Sequence, residues 1–306
     1  MQSRKNLVST RLAFRYLLFA LLLVLQLSPV AAQAPTDART ILYLNSYHQG
    51  YRWSDGLLQA FRKHLESEVE LYVEYMDTKR FFNTDHIGAF LTYLTSKYQP
   101  ESIDLIVAAD DAAFRLVRFN EAPLLKQVPV VFLGVSETEG SRLQERGDLT
   151  GVIQLPPIEE GLDLLLELHP DAPLVIAITD NSLNGQANED RIRAYAAERK
   201  MEERFIYPNE MNSATLSSLA RLLEEAPRGS AIYLSDFNVA PNRTFVEVEE
   251  LFSVLDTRSD LPVYVYSGIY LGAGAVGGKM VVPESQARVA AEMVDEIFGG
   301  ADAGEV

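Results

Sequence analysis

Between Asn45 and Trp53 the chain runs Asn-Ser-Tyr-His-Gln-Gly-Tyr-Arg-Trp, which places its single tryptophan beside two tyrosines and a histidine. Aromatic faces offer flat apolar contact, and Ser46 or His48 could orient what Tyr47 and Trp53 hold. Trp53 could equally staple a helix entry. Further along, Asp110-Asp111 is an adjacent pair of acids followed by Ala112: one acid suffices to cap a helix, so the second could meet a ligand ammonium. Gly134 and Ser136 follow an apolar run, where backbone N–H groups could meet an anion or simply make a turn. Asp180-Asn181, Asp236 with Asn238, and Ser267 with Tyr270 close three more apolar runs. Asp, Asn and Ser favour caps and turns anyway. What they share is their place, at the ends of strand-like runs.

Other chemistries are excluded. The chain has no cysteine, so disulfides, thiolate catalysis and zinc-thiolate sites cannot form. The four histidines are scattered, without metal-ligand spacing, and no metal or cofactor is expected. Net charge is -16 in 306 residues, the wrong sign for nucleic acid. Gly272-Ala-Gly-Ala-Val-Gly277 matches G-x-G-x-x-G, but an extended segment, Lys279 to Val282, follows where a dinucleotide site needs a helix. Close backbone approach explains those glycines better. No P-loop, G-x-S-x-G motif or glycosidase-like acid pair occurs, and no activated nucleophile can be assigned. The expectation is a binding protein rather than an enzyme, with a periplasmic hydrolase using strand-end acids as the alternative.

The elements that must position these groups alternate. Strands are expected at Ile41–Leu44, Val69–Tyr75, Leu105–Ala109 and Val128–Val135. Helices are expected after Ser54 as cap, over Thr84–Tyr98, and after Asp110-Asp111 as cap. The pattern then restarts: helix Ile158–Leu168, strand Leu174–Thr179, a helix to about Arg199 and strand Phe205–Tyr207. A helix capped by Ser213, strand Ala231–Leu234, helix Thr244–Leu255, strand Pro262–Tyr266 and a helix near Glu284–Phe298 complete it. This order predicts an α/β protein of two Rossmann-like lobes with parallel sheets. The expected division is 35–155 with 268–306 for one lobe and 156–267 for the other, broken near Gly151 to Pro157. In parallel sheets ligands bind beyond the carboxyl ends of strands, so a cleft between lobes would collect the residues above.

Residues 1–34 read separately. Arg4, Lys5, Arg11 and Arg15 precede an apolar run, Leu17 to Leu27, and Ala32 and Ala34 stand at A-x-A spacing. These are the parts of a secretory signal, and the run is short of the ~20 residues that span a bilayer. A signal peptide or an uncleaved N-terminal anchor both put the remainder in the periplasm. Asn242-Arg243-Thr244 is a formal glycosylation sequon and carries no argument alone.

Three segments resemble a known family. LYLNSYHQGYRWSDGL (Leu42–Leu57), VAADDAAFRLV (Val107–Val117) and GAGAVGGKMVVPESQARVAAEM (Gly272–Met293) are similar to blocks of the ABC transporter substrate-binding protein-like family, close to the extracytoplasmic sensor domains of bacterial histidine kinases and diguanylate cyclases. The resemblance implies a periplasmic-binding-protein-like fold of type I, with a small-molecule ligand, such as an aromatic or other amino acid, in a cleft between the lobes. It maps cleft positions onto Ser46, Tyr47, Asp111, Ala112, Asp180, Asn181, Asp236 and Tyr270. The implied partner is an ABC permease or a membrane sensor kinase. Family members usually continue beyond a helix ending near Phe298, so the resemblance implies a stand-alone binding protein, a shortened chain or an excised domain.

Overall fold

Alternate side chains along β1 (Arg39–Asn45) enter two different cores, and that alternation organises the first half of the molecule. Ile41 and Tyr43 pack on one face of the sheet, Leu42 and Leu44 on the other, all fully buried. A strand apolar on both faces needs cover on both, which parallel sheets obtain from crossover helices. The computed structural model describes residues 38–81, 83–136, 147–208, 215–238, 240, 245–258 and 260–306. The N-terminal segment, Ser213, and the sequon with the expected helix start at Thr244 lie outside the described residues.

In the first half, β1 is followed by α1 (Arg52–His64), β2 (Val69–Tyr75), α2 (Thr84–Lys97), β3 (Leu105–Ala109), α3 (Asp110–Phe119), α4 (Pro123–Gln127), β4 (Val130–Ser136) and β5 (Leu149–Gln154). The second half carries α5 (Ile158–Leu168), β6 (Val175–Ile178), α6 (Leu183–Glu198), β7 (Phe205–Ile206), α7 (Leu216–Glu225), β8 (Ala231–Leu234), α8 (Val248–Leu255) and β9 (Val263–Val265). The last helix, α9 (Pro283–Phe298), returns to pack on α1, β4 and β5. Among the described residues the strands form two parallel sheets, ordered β2-β1-β3-β4-β5 and β7-β6-β8-β9. The fold is α/β with two parallel sheets.

One hydrophobic cluster joins the two sheets. It takes Ile41, Val107 and Leu133 from the first and Ile176, Ile232 and Val265 from the second, with Trp53, Ile269 and Tyr270 between. The chain crosses from one sheet to the other after Gln154 and returns after Val265. On the return, the Gly-rich stretch runs alongside β9, with parallel bridges from Tyr264 to Gly277 and from Ser267 to Val281. Gly278 sits at φ 157°, and a Cβ there would stand 2.0 Å from the Val265 carbonyl oxygen. Glycine is required for that approach.

Several local expectations change. The segment from Gly151, expected as a break, belongs largely to a fifth strand, in which Gly151 pairs with Phe132 at φ 154°. A Cβ at Gly151 would fall 2.1 Å from the Phe132 carbonyl oxygen, so glycine here serves strand contact rather than a break. Ser54 does not cap α1: Tyr51 holds the cap position and Ser54 lies fully buried inside the helix. Nor do Asp110 and Asp111 cap α3. They occupy its first turn, after Ala109 at the cap position. The capping role passes to Ser46, whose hydroxyl donates to the Ala109 carbonyl (2.6 Å) and accepts from the Ala113 N–H (2.8 Å). A serine from the end of β1 thus supplies the oxygen that a local cap would supply, and frees the two acids for other contacts.

Ser46→Ala should therefore cost about 1–3 kcal/mol of folding stability, because it leaves a buried helix N–H without a partner. Urea denaturation of the variant measures it. An unchanged midpoint would show that the helix end is satisfied elsewhere.

Candidate functional site

Each sheet reverses its strand order once, and the two reversals face one cavity. In the first sheet β1 leads outward to β2 while β3 leads the other way; in the second, β6 leads to β7 while β8 leads to β9. A crevice opens at the carboxyl ends of such strand pairs. Asn45 to Tyr47 leave β1 there, Asp110 and Asp111 leave β3, Asp180 follows β6 by two residues, and Asp236 follows β8 by two. The cavity has a volume of about 750 Å³.

Of the residues singled out in the sequence, Tyr47, Trp53, Asp110, Asp111, Ala112 and Gly134 line it from the first half. Asp180, Asn181, Asp236, Asn238 and Ser267 line it from the second half and the return segment. Four do not line it. Ser46 is consumed in the α3 cap. His48 lies behind the cavity wall, its ring 5.7 Å from both Tyr51 and Phe245 and its Nδ1 3.5 Å from Asp77. Ser136 reaches the site only through its backbone N–H, which donates to Asp111 Oδ1 at 2.8 Å. Tyr270 is 1% exposed and packs 6.0 Å from the Phe252 ring.

Asp110 sits in a strained position. It adopts φ 68°, uncommon for a residue with a Cβ, and is 3% exposed. Its Oδ1 accepts the Trp53 indole N–H at 2.8 Å. Its Oδ2 is buried with no hydrogen-bond partner. Gly134 makes room for it: a Cβ there would lie 2.9 Å from Asp110 Oδ1, and Gly134 itself has φ 69°. Burial pushes the Asp110 carboxyl up to about 8; Asp111 adds to this, while Trp53 and Lys79 oppose it.

The other acids are built in differently. Asp180 accepts the Ser182 and Asn238 backbone N–H groups, both at 2.9 Å, and so ties two strand-end loops together. Asp236 accepts from Asn188 (2.8 Å) and from the Tyr266 hydroxyl (3.1 Å). Burial and the neighbouring Asp180 raise its pKa, while Lys79, Tyr266 and Asn188 pull the other way. Among the described residues, polar contacts cross between the halves. Asn184 donates to Asp111 at 3.3 Å, Tyr51 to Asn238 at 3.5 Å, and Arg52 pairs with Glu249 at 2.5 Å.

The sequence reading missed Lys79, Arg115, Gln154, Asn184 and Tyr266, among others, in the cavity lining, and Phe245 beside it. Lys79 leaves the end of β2, and its loop is pinned to the β1 exit. The Met76 N–H donates to Asn45, the Thr78 N–H and hydroxyl both donate to the Ser46 carbonyl, and Arg80 grips Asp77 through two 2.7 Å bonds. From there the ammonium stands 4.5 Å from the Tyr47 ring centre, 4.9 Å from that of Tyr51 and 5.9 Å from that of Phe245. The rings meet edge to face, Tyr47 with Tyr51 at 86° and Tyr51 with Phe245 at 77°, and form the corner of a box. Burial lowers the Lys79 pKa; Asp180, Asp236, Asp110 and Asp111 work against that. The loop after β2 is not singled out in the sequence, because a lysine reads as a solvated surface residue until its surroundings are known.

The raised Asp110 pKa has a stability consequence. Folded protein keeps the Asp110 proton where the unfolded chain releases it near 3.8, so stability present below that pH is lost as pH rises toward about 8. Each pKa unit of separation corresponds to about 1.4 kcal/mol. Asp110→Asn keeps the oxygen that Trp53 needs and removes the titration. Between pH 5 and 9 its urea midpoint should fall less than that of the wild type. Parallel pH profiles would contradict a neutral Asp110.

No protein-family model matches the chain, and no curated protein matches it. Among solved structures the fold recurs. A conserved domain protein from Vibrio cholerae is 15% identical, with TM-score 0.60, covering 89% of this chain and 88% of that one. The ABC domain of a Streptococcus pneumoniae protein, in complex with L-Trp, is 15% identical with TM-score 0.62, covering 88% of each chain. A ligand-free, open substrate-binding protein with adhesive properties from Clostridium difficile is 16% identical with TM-score 0.58, also covering 88% of each. At such identities the likeness is one of fold. The architecture is that of ABC transporter solute-binding proteins and of periplasmic-binding-protein/LacI-type proteins, the type I periplasmic-binding-protein fold.

Proposed function

We propose that the chain is an extracytoplasmic solute-binding protein that captures an amine-bearing small molecule, of the amino-acid class, between its two lobes. The observation that carries this reading is the cavity where the strand-order reversals of both sheets face each other, walled by aromatic rings and by acids from both halves. Its volume, about 750 Å³, suits one small ligand with a flat apolar body. Rings supply apolar contact to that body, and Asp111 and Asp236 supply charge-assisted bonds to an amine. Micromolar capture needs about -8 kcal/mol in total, within reach of those contacts.

Binding of this kind works by closure. A ligand that touches both lobes favours the form in which they meet, and the Asn184–Asp111 and Tyr51–Asn238 contacts belong to that form. That a protein of this fold holds L-Trp supports an aromatic amino acid as first candidate. The N-terminal segment supports a periplasmic location. Closure would be read by an ABC permease; the similarity of Leu42–Leu57 to sensor ectodomains makes a membrane histidine kinase or diguanylate cyclase the alternative reader. No turnover is expected of a protein that works by capture and closure.

Thermal shifts across a panel of amino acids and amines test the reading, because a ligand preferring the folded state raises the melting temperature. At least one member should stabilise the protein saturably and without turnover. The same ligand should shift Trp53 emission, and Asp111→Ala should weaken it about tenfold, or about 1.4 kcal/mol. A confirmed ligand that leaves Trp53 emission and the Asp111→Ala affinity unchanged would place binding elsewhere.

A further inference from the structure

We propose that Lys79 is a tethered stand-in for the ligand: its ammonium occupies the amine subsite of the cleft, and small organic ammonium compounds bind by displacing it. The inference rests on the solute-binding reading above and names the chemistry of its site.

Three observations carry it. The Lys79 ammonium lies among the faces of Tyr47, Tyr51 and Phe245, at 4.5, 4.9 and 5.9 Å, the arrangement by which aromatic cages hold ammonium groups. Around this cage stand four carboxylates, Asp110, Asp111, Asp180 and Asp236, all of which attract the lysine. Its contacts are with ring faces, and no described carboxylate forms an ion pair with it. Finally, Asp110 Oδ2 is buried at the cavity wall with no partner, a polar group that a ligand could pair with. Rings, acids and an unpartnered carboxyl oxygen make a site for a cation, and the Lys79 ammonium stands in it.

Displacement needs only a side-chain swing. The loop backbone is fastened to Ser46 and Asn45, while the four-carbon stem of Lys79 carries the rotatable bonds through which its ammonium can leave the cage. The competing assignment, Lys79 as partner of a ligand carboxylate, fits less well. It would bring an anion among four acids and away from the ring faces that now hold the ammonium.

An internal occupant lowers apparent affinity by the fraction of time the site is free. Removing it should therefore tighten binding of a bare amine, roughly tenfold if the site is free a tenth of the time. The test is calorimetric titration of phenethylamine and tetramethylammonium into wild type, Lys79→Gln and Lys79→Arg, with melting temperatures as the control for folding and Lys79→Ala as a second variant. Tighter binding by at least fivefold in Gln and Ala, and not in Arg, is the expected result. Unchanged or weaker binding in folded Gln and Ala variants overturns the proposal. Loss of an amino-acid ligand in those variants, without gain for the bare amines, makes Lys79 the carboxylate partner: the stand-in role falls and solute binding stands. If no form binds any probe or any member of the amino-acid panel, both readings fall together.

Discussion

Four acids gathered at the facing ends of two sheets repel one another, and a cation among them offsets that repulsion. The rest of the site follows from that constraint. Lys79 stands there, drawn by all four acids and held by three rings. Asp110 answers the same constraint in another way: burial raises its pKa to about 8, and the indole of Trp53 bonds one of its oxygens. Asp180 spends its oxygens on backbone N–H groups, and Asp236 spends its own on Tyr266 and Asn188. Each acid has a different form of compensation, and only that of Asp110 leaves an oxygen without a partner.

The fold makes this crowding unavoidable. A parallel sheet delivers every strand end to the same edge, and a second sheet facing it doubles the density of loop residues there. One hydrophobic cluster, from Ile41 to Val265, takes residues from both sheets. Glycines then permit the close fits: Gly134 beside Asp110, and Gly278 against the Val265 carbonyl on the return segment.

Much of this was legible in the sequence, for a reason that also marks the limit. Apolar runs such as Leu105–Ala109 and Ala231–Leu234 are fully buried strands, and the polar residues after them fall at the cavity because strand ends must. The reasoning is local, so it works for Asp110 and Asp236 and fails wherever a role is assigned across the fold. Ser46 looked like a ligand contact and caps α3 instead, since only the pairing of β1 with β3 brings its hydroxyl to Ala113. His48 sits one residue from Tyr47 yet behind the wall, as neighbours on an irregular loop point apart. Lys79 carried no signal of its own, because its cage is completed by Phe245 from the other half of the chain. β5 escaped notice because its glycine and short apolar content resemble a linker until Phe132 is laid beside it.

Capture depends on two lobes meeting around a small molecule, and that motion can be measured directly. The chain has no cysteine, so Asp85→Cys and Gln186→Cys would carry the only two spin labels. Both positions are exposed, in the first turns of α2 and α6, on opposite sides of the cleft. Electron–electron resonance should show a spread of distances without ligand and a single, shorter one when the best amine of the panel is saturating. A distance distribution that the bound ligand leaves unchanged would contradict capture by closure.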